Sequence, residues 1–169
     1  MHPEIEAIFD NAENRYLKPE ELKFITQYVE SLPERLEVYR ILREQELEIM
    51  QGVVDQLQAQ LPQEPTELLE RSIKNALLML RYCSMGMLLN DEAFVKMRFL
   101  DWVSQSTKVY DTEKIDTLLY RLLNQRLNQI LTPPQMALLS SILIKTQSAL
   151  LVSKAEPAPE SANKVAIGW

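Results

Sequence analysis

The amino-acid sequence predicts an all-α protein of about eight helices. Apolar residues recur at helical spacing along nearly the whole chain, and the strict alternation of a half-buried strand is absent. The chain of 169 residues has only 3 glycines, Gly52, Gly86 and Gly168, which disfavours a turn-rich β fold and excludes glycine-rich phosphate loops. Residues 68–91 are apolar around most of a helical circumference. They predict a long helix over about residues 66–89 that is buried at the centre of the domain.

Four helices are expected before this central one. Ile5, Ile8 and Phe9 indicate a short first helix, and Lys18-Pro19-Glu20-Glu21 starts a second, because proline and acids are favoured in a first turn. Pro33 is expected to open the third. The inward positions of the second and third helices are predicted to be Leu22, Ile25, Tyr28, Val29, Leu36, Tyr39, Ile41 and Leu42.

A fourth helix, through Ile49, Val53, Val54 and Leu57, is expected to stop before Pro62. After the central helix, residues 92–105 are predicted to be helical, with apolar Ala93, Val95, Met97, Phe99, Leu100 and Trp102. Thr112-Glu113 and Thr132-Pro133-Pro134 are expected to start the last two helices. We predict a domain over 1–152 and a flexible tail over 153–169, which is poor in large apolar groups.

Composition limits the partners of this chain. A net charge of −6 argues against nucleic-acid binding, because phosphate contacts need a surplus of Lys and Arg. No membrane span is predicted, since Arg71, Lys74 and Arg81 interrupt the best candidate. A single cysteine and an acidic N-terminus without a signal peptide favour a cytoplasmic protein.

The residues of common catalytic and metal sites are scarce. His2 is the one histidine and is expected in a frayed terminus, so haem ligation, a Ser-His nucleophile and a zinc or di-iron site are all disfavoured. Cys83, in an apolar stretch, is interpreted as an inert buried thiol rather than a reactive one. We therefore predict no catalytic residue, no metal and no enzymatic activity.

Two clusters of side chains admit both a functional and a structural interpretation. Glu44, Glu46 and Glu48 would suit paired catalytic carboxylates, but a solvated helix face balanced by Arg40 and Arg43 is favoured. The methionines would suit an adaptable binding surface, but core packing is favoured. These methionines are Met79, Met85, Met87 and Met97.

Short motifs occur in a fixed order over about residues 5–152. Arg15-Tyr16-Leu17 is followed by Lys18-Pro19 and Glu21-Leu22. Later motifs are Val54-Asp55-Gln56-Leu57 ahead of Pro62, Leu80-Arg81, Ser84-Met85-Gly86, Asp91 and Ile115-Asp116. In this order and spacing they resemble the allophycocyanin-type subunits of phycobilisomes, which are globin-like phycobiliproteins.

The resemblance implies a globin-like helical bundle preceded by two N-terminal helices, here within residues 1–31, that clasp a partner subunit. Tyr16, Arg81 and Asp91 match family residues that make polar contacts across that clasp. The carboxylate that faces the arginine in the family is replaced by Asn11. We expect these residues to lie in the interface of a homodimer, because closed two-fold pairing is the commonest use of a self-complementary surface.

The resemblance also places the family's bilin site at residues that depart from its pattern. Ser72 stands where the family has the attachment cysteine, and Lys74 and Asn75 stand where it has an Arg and an Asp. A serine hydroxyl does not add to the bilin vinyl group as a thiolate does, and Asn75 cannot supply the negative charge for a protonated tetrapyrrole. Cys83 lies within about 20° of Ser72 around the helix but roughly 16 Å further along its axis.

The sequence therefore resembles a chromophore-free member of the family, similar to the bilin biosynthesis-associated globins. The resemblance implies a non-enzymatic interaction or regulatory role, with phycobiliprotein subunits or bilin-biosynthesis proteins as partners in the cytoplasm or at the thylakoid surface. One alternative is a noncovalent bilin or tetrapyrrole carrier or sensor that uses a groove around Lys74, Asn75 and Met79. A second alternative is a bilin-handling enzyme or lyase.

Overall fold

The computed structural model describes residues 2–107 and 110–155, and within these residues it contains helices and no β-strand. The elements in chain order are α1 (Pro3–Asn11), α2 (Pro19–Glu44), α3 (Glu46–Gln60), α4 (Thr66–Leu89), α5 (Glu92–Val95), a π-helical turn (Lys96–Leu100), α6 (Asp101–Thr107), α7 (Glu113–Ile130) and α8 (Pro133–Ala155). The predicted all-α, globin-like bundle with two N-terminal helices is confirmed. Of the predicted tail, 153–155 belong to α8 and 156–169 lie outside the described residues.

Helix α4 is at the centre of the bundle, as predicted. It packs against α2, α5, α7, α8 and the π-helical turn. Its fully buried side chains are those of Ala76, Met79, Leu80 and Cys83, and they meet the buried leucines of α7 and α8. Its predicted start at Thr66 and end near residue 89 are both confirmed.

A left-handed residue ends α4 and redirects the chain. Asn90 has a φ of 50°, a conformation that asparagine tolerates better than most residues. The amide of Asp91 then donates to the carbonyl of Gly86 at 2.9 Å, and the Asp91 carboxylate accepts from the Phe94 amide at 3.0 Å. One carboxylate therefore caps α5 directly after α4 has ended.

The prediction that Pro33 opens a separate helix is wrong. Helix α2 runs unbroken from Pro19 to Glu44, with Pro33 inside it. A proline leaves the carbonyl four residues earlier without its helical donor. That residue is Val29, which is 53% exposed, so water can reach the freed carbonyl. The second N-terminal helix consequently extends well past residue 31.

A continuous α2 also changes which of its residues are buried. Val38 and Leu42 are buried in the core. Leu22, Val29 and Leu36 are instead 50%, 53% and 55% exposed. These three were predicted to be inward on two separate helices. On one helix they lie seven residues apart and form a single exposed line.

The methionines divide between core and surface. Met79 and Met87 are buried and Met85 is half-buried, which agrees with core packing, whereas Met97 is 64% exposed and its core assignment is wrong. Met97 lies in the π-helical turn, whose extra residue rotates the helix face. Phe99 in the same turn points inward and is fully buried.

One described helix, within Pro133–Val152, is long and apolar enough by length and composition to cross a membrane. The stretch around Arg71 and Arg81 was predicted to be the nearest approach to a membrane span, and that prediction is wrong. The bundle accounts for part of the apolar character of α8, because Leu139, Leu143 and Leu150 are buried in its core, whereas Ile144 and Val152 are exposed.

Gly86 is expected to be intolerant of a side chain. A Cβ there would lie 2.5 Å from Ile142 Cδ1 and 2.7 Å from Val95 Cγ2, and both side chains are buried. We expect Gly86→Ala to lower the free energy of unfolding by about 1–2 kcal/mol, because overpacking outweighs the better helix propensity of alanine. Urea unfolding followed by circular dichroism measures this.

Gly52→Ala is the matched control, since its Cβ would meet only the Arg126 side chain, at 3.5 Å from Nε. This variant should be more stable than the wild type by about 0.5–1 kcal/mol. A Gly86→Ala protein as stable as the wild type would contradict the packing described here.

Candidate functional site

Ser72 and its neighbours lie on the N-terminal half of α4. Ser72 is 2% exposed, and its Oγ has no hydrogen-bond partner within the described part of the chain. Lys74 is exposed and Asn75 is half-buried. Met79, which was expected to line a groove with them, is fully buried and unavailable to an open groove.

An aromatic side chain covers α4 beside Ser72. The Arg71 guanidinium carbon lies 3.7 Å from the centroid of the Tyr110 ring, a close cation–π contact. The Arg71 Nε is buried and has no hydrogen-bond partner among the described residues. Tyr110 comes from the segment that precedes α7, so this segment closes over the first half of α4.

The connection before α4 is also held against α7. Glu64, in the turn between α3 and α4, accepts from Lys114 Nζ at 2.9 Å. Gln60 and Arg121 approach each other at 3.5 Å nearby. The turn between α3 and α4 is therefore linked to α7 by the Glu64–Lys114 ion pair.

These residues do not fit a covalently bound bilin. Ser72 has no thiol, and Asn75 has no charge to balance a protonated tetrapyrrole. The serine is also enclosed, and the adjacent arginine is covered by the Tyr110 ring.

Cys83 does not replace the missing thiol. It is fully buried, and desolvation raises the pKa of its thiol to about 12, partly offset by a hydrogen bond with Thr146. A thiol that stays protonated at neutral pH is a poor nucleophile. Burial likewise raises the pKa of the neighbouring Tyr120. The predicted burial of Cys83 is confirmed, and its low reactivity stays a prediction.

The three residues expected at a subunit clasp lie apart within this chain. Tyr16, in the turn between α1 and α2, is 98% exposed. Arg81 donates to Glu46, from Nε to Oε1 at 2.6 Å and from Nη2 to Oε2 at 2.7 Å. Asp91 caps α5, as described above. Their predicted role between subunits stays a prediction.

The Arg81–Glu46 pair borders a groove between α2, α3 and α4. The groove has a volume of about 290 Å³ and is lined by Tyr39, Leu42, Arg43, Leu80, Ser84 and Met85 as well as the pair. The bidentate hydrogen bond from Arg81 lowers the pKa of Glu46. Arg81 thus presents a fixed charge beside a partly apolar surface.

The acidic cluster of α2 and α3 is a solvated face, but the partners of Glu46 and Glu48 differ from those predicted. Glu46 pairs with Arg81, and Glu48 pairs with Arg126 at 3.0 Å. Arg40 bonds Glu37 at 2.7 Å, three residues earlier on α2, and also interacts electrostatically with Glu44, as predicted. The true partners of Glu46 and Glu48 lie 35 and 78 residues away, which local spacing could not indicate.

A hydrogen-bonded group at the end of α4 was not predicted from the sequence. Arg35 donates to the carbonyl of Met87 and to Asn90 Oδ1, and the Tyr28 hydroxyl donates to the carbonyl of Leu88 at 3.1 Å. These bonds satisfy helix-end carbonyls from α2. The only sequence signal is the seven-residue spacing of Tyr28 and Arg35, which puts both on one side of α2.

A comparison with protein-family models matches residues 9–162 to the family described as phycobilisome protein. No curated protein matches the chain. The family match covers α2 to α8 and the segments between them, including every candidate site residue described above.

Burial predicts that Cys83 is chemically silent in the folded protein. We expect no reaction with an aromatic disulfide reagent at about pH 8, because the thiol is enclosed and its pKa is raised. Denaturation in guanidinium should release one equivalent of reactive thiol, matching the single cysteine. Rapid stoichiometric labelling of the native protein would show that the core around α4 is open.

Proposed function

Because the chain belongs to the phycobilisome protein family, we propose that it is a chromophore-free, non-enzymatic member that acts by binding other proteins. The family consists of structural light-harvesting proteins that assemble with one another at the thylakoid surface. The proposed partners are a second copy of this chain, phycobiliprotein subunits or bilin-biosynthesis proteins. The proposed role is interaction or regulation in phycobilisomes or in bilin supply.

Ser72 carries the chromophore-free part of the proposal. A bilin is attached in the family through a cysteine, and the serine here is only 2% exposed beside the Tyr110–Arg71 contact. The Ser72 hydroxyl is therefore a poor nucleophile for bilin attachment, and its burial hinders the approach of a bilin. Asn75 adds an independent obstacle, because it carries no charge.

The exposed line on α2 supports the binding part of the proposal. Leu22, Val29 and Leu36 lie at seven-residue intervals, and half-buried Ile25 and Leu32 lie between them. From Leu22 to Leu36 the line is about 21 Å long at the rise of an α-helix. Apolar residues at such intervals are typical of helices that pair with another helix. We name these five residues the α2 stripe.

Features outside the stripe fit the same interaction. Phe9 on α1 is 54% exposed and Tyr16 is almost wholly exposed, and both belong to the N-terminal region. We propose that Tyr16, Arg81 and Asp91 contribute polar contacts to the same interface. Arg81 is suited to this because its bond to Glu46 fixes the guanidinium in one orientation.

A noncovalent bilin or tetrapyrrole carrier is the second candidate function. The observation that favours it is the buried Ser72 Oγ without a partner, since a bound ligand could accept its hydrogen bond. The test is to mix the purified protein with biliverdin or phycocyanobilin and record the absorbance spectrum. A shifted band that is weakened in Ser72→Ala would support this alternative, and an unchanged spectrum would exclude it for those ligands.

The purified protein is expected to be colourless after co-expression with bilin synthesis enzymes and lyases. Ser72 lacks the thiol and Asn75 lacks the counter-charge, so no covalent adduct should form. The measurement is zinc-enhanced fluorescence on a denaturing gel, with a cysteine-bearing phycobiliprotein subunit as the positive control. A fluorescent band from the wild type would overturn the proposal, and its loss in Cys83→Ser would place the adduct at that residue.

Self-association through the N-terminal helices is expected at tens of micromolar protein. Light scattering should give a dimer for the wild type, and a charge in the α2 stripe, in Val29→Glu, should weaken it at least about tenfold because burying an unpaired carboxylate is costly. Arg81→Ala should also weaken the dimer, since truncating a buried interface charge costs about 2–5 kcal/mol.

Val152→Glu is the matched control, because Val152 is similarly exposed, at 62%, but lies on α8. This variant should dimerise like the wild type. A monomeric wild type would refute the homodimer. Dissociation of both glutamate variants to the same extent would instead show that the α2 stripe is not the specific contact.

A further inference from the structure

A groove lies between α8 and the segment formed by α5, the π-helical turn and α6. Its volume is about 420 Å³, and its apolar lining residues are Ala93, Val95, Leu100, Ile142 and Ala149. Val95 and Ile142 are buried, Leu100 is half-buried, and the two alanines are exposed. The groove therefore offers apolar surface that a further segment of chain can cover.

The groove follows α8 towards its end. On α8 its lining runs from Ile142 to Ala149, a distance of about 10 Å at the rise of an α-helix. Helix α8 continues to Ala155, about 9 Å beyond Ala149. At the opposite end of the groove, Glu92 of α5 accepts from Lys145 Nζ at 2.7 Å. The open end of the groove is therefore near the residues that follow α8.

Residues 156–169 follow α8 and lie outside the described residues. Their large apolar side chains are those of Val165, Ile167 and Trp169, each separated from the next by one small residue. Alternate side chains of an extended chain point to the same side, so these three share one face. At the rise of an extended chain this face is about 13 Å long, which is close to the length of the groove.

The residues between α8 and this apolar face are numerous enough to bring it back to the groove. Residues 156–164 span at most about 30 Å when extended. The distance along α8 from Ala155 back to Ile142 is about 20 Å. Pro157 and Pro159 disfavour a continuation of α8 along its axis, so the chain is free to turn away from that axis.

The charges of the groove and of this segment are complementary. Lys96 and Asp101 line the groove, are exposed, and have no ion-pair partner within the described part of the chain. When the chain runs back along α8, Lys164 comes beside Asp101. Trp169 then comes towards Lys96, whose ammonium group is suited to the face of an indole ring. The order of charges along the segment thus agrees with their order along the groove.

We propose that residues 165–169 dock in this groove of their own chain, with Val165, Ile167 and Trp169 covering its apolar lining. Docking within the chain is favoured over docking on a second copy, because a linker of nine residues gives a local concentration on the order of millimolar. The inference does not rest on the proposed chromophore-free role or on the homodimer.

Tryptophan fluorescence of the 169-residue chain tests the docking. The chain has 2 tryptophans, so Trp102→Phe leaves Trp169 as the single reporter. Trp102 is 58% exposed, and its replacement should leave the core unchanged. We expect blue-shifted emission, and acrylamide quenching at least about twofold weaker than in a free peptide of residues 156–169, because a docked indole is largely covered.

A blocked groove should release the segment. In the Trp102→Phe background, Ala149→Arg places a long charged side chain in the groove from an exposed position, and should return the emission and quenching to those of the free peptide. Ser148→Arg is the matched control, because Ser148 is the exposed neighbour of Ala149 on α8 but does not line the groove. This control should keep the blue-shifted emission, and circular dichroism should show that both variants are folded.

Quenching of Trp169 as strong as in the free peptide would overturn the proposal. Equal effects of the two arginine variants would show that the segment is not held in this groove and would overturn it as well. A blue shift that disappears on dilution of the protein would place the segment on a second copy, which also contradicts docking within the chain.

Discussion

The close crossing of α4 and α8 at Gly86 constrains the rest of the molecule. Ile142 and Val95 would be 2.5 and 2.7 Å from a Cβ at this position, so only a residue without a side chain lets the two helices and α5 meet here. The crossing lies one turn before the end of α4, where Gly86 also accepts from the Asp91 amide. From Gly86 the chain runs one more turn to the end of α4 and then into α5. The Met87 and Leu88 carbonyls, which Arg35 and Tyr28 of α2 bind, lie in that turn. Helix packing and helix capping are thus joined at one glycine.

The first half of α4 is closely packed at the position where the sequence resemblance places a ligand site. That resemblance aligns Ser72 with the bilin-attachment cysteine of the phycobiliproteins. The structure encloses that serine and stacks Tyr110 on the neighbouring Arg71. An aromatic ring over a guanidinium gives this part of the helix a partner from within the chain. The absence of a thiol and the presence of a covering ring are consistent with each other.

The surface of α2 contrasts with that of α3 and α4. Leu22, Val29 and Leu36 of its stripe are exposed to water, whereas α3 and α4 carry paired charges such as Arg81–Glu46. Matched, exposed ion pairs add little stability but fix side-chain orientation. An apolar line beside oriented charges has the composition of an interface with an apolar centre and a polar rim.

The sequence by itself determined the features that depend on local chemistry. The helical class, the bounds of α4, and the starts of α2 and α8 followed from apolar spacing and from local signals. Pro19 suits the first turn of a helix, and Thr132 exchanges hydrogen bonds with Gln135 three residues later. The degenerate bilin site followed from a resemblance that the family match supports only at the level of the family.

Only the tertiary structure decided that α2 continues through Pro33, that His2 is buried, that Met97 is exposed and that Glu46 pairs with Arg81. Each of these depends on what surrounds the residue in space: solvent at the Val29 carbonyl, a partner 88 residues away for His2, a π-helical turn at Met97 and a partner 35 residues away for Glu46. Local spacing predicts an element, but burial and pairing are set by contacts between elements that are distant in sequence.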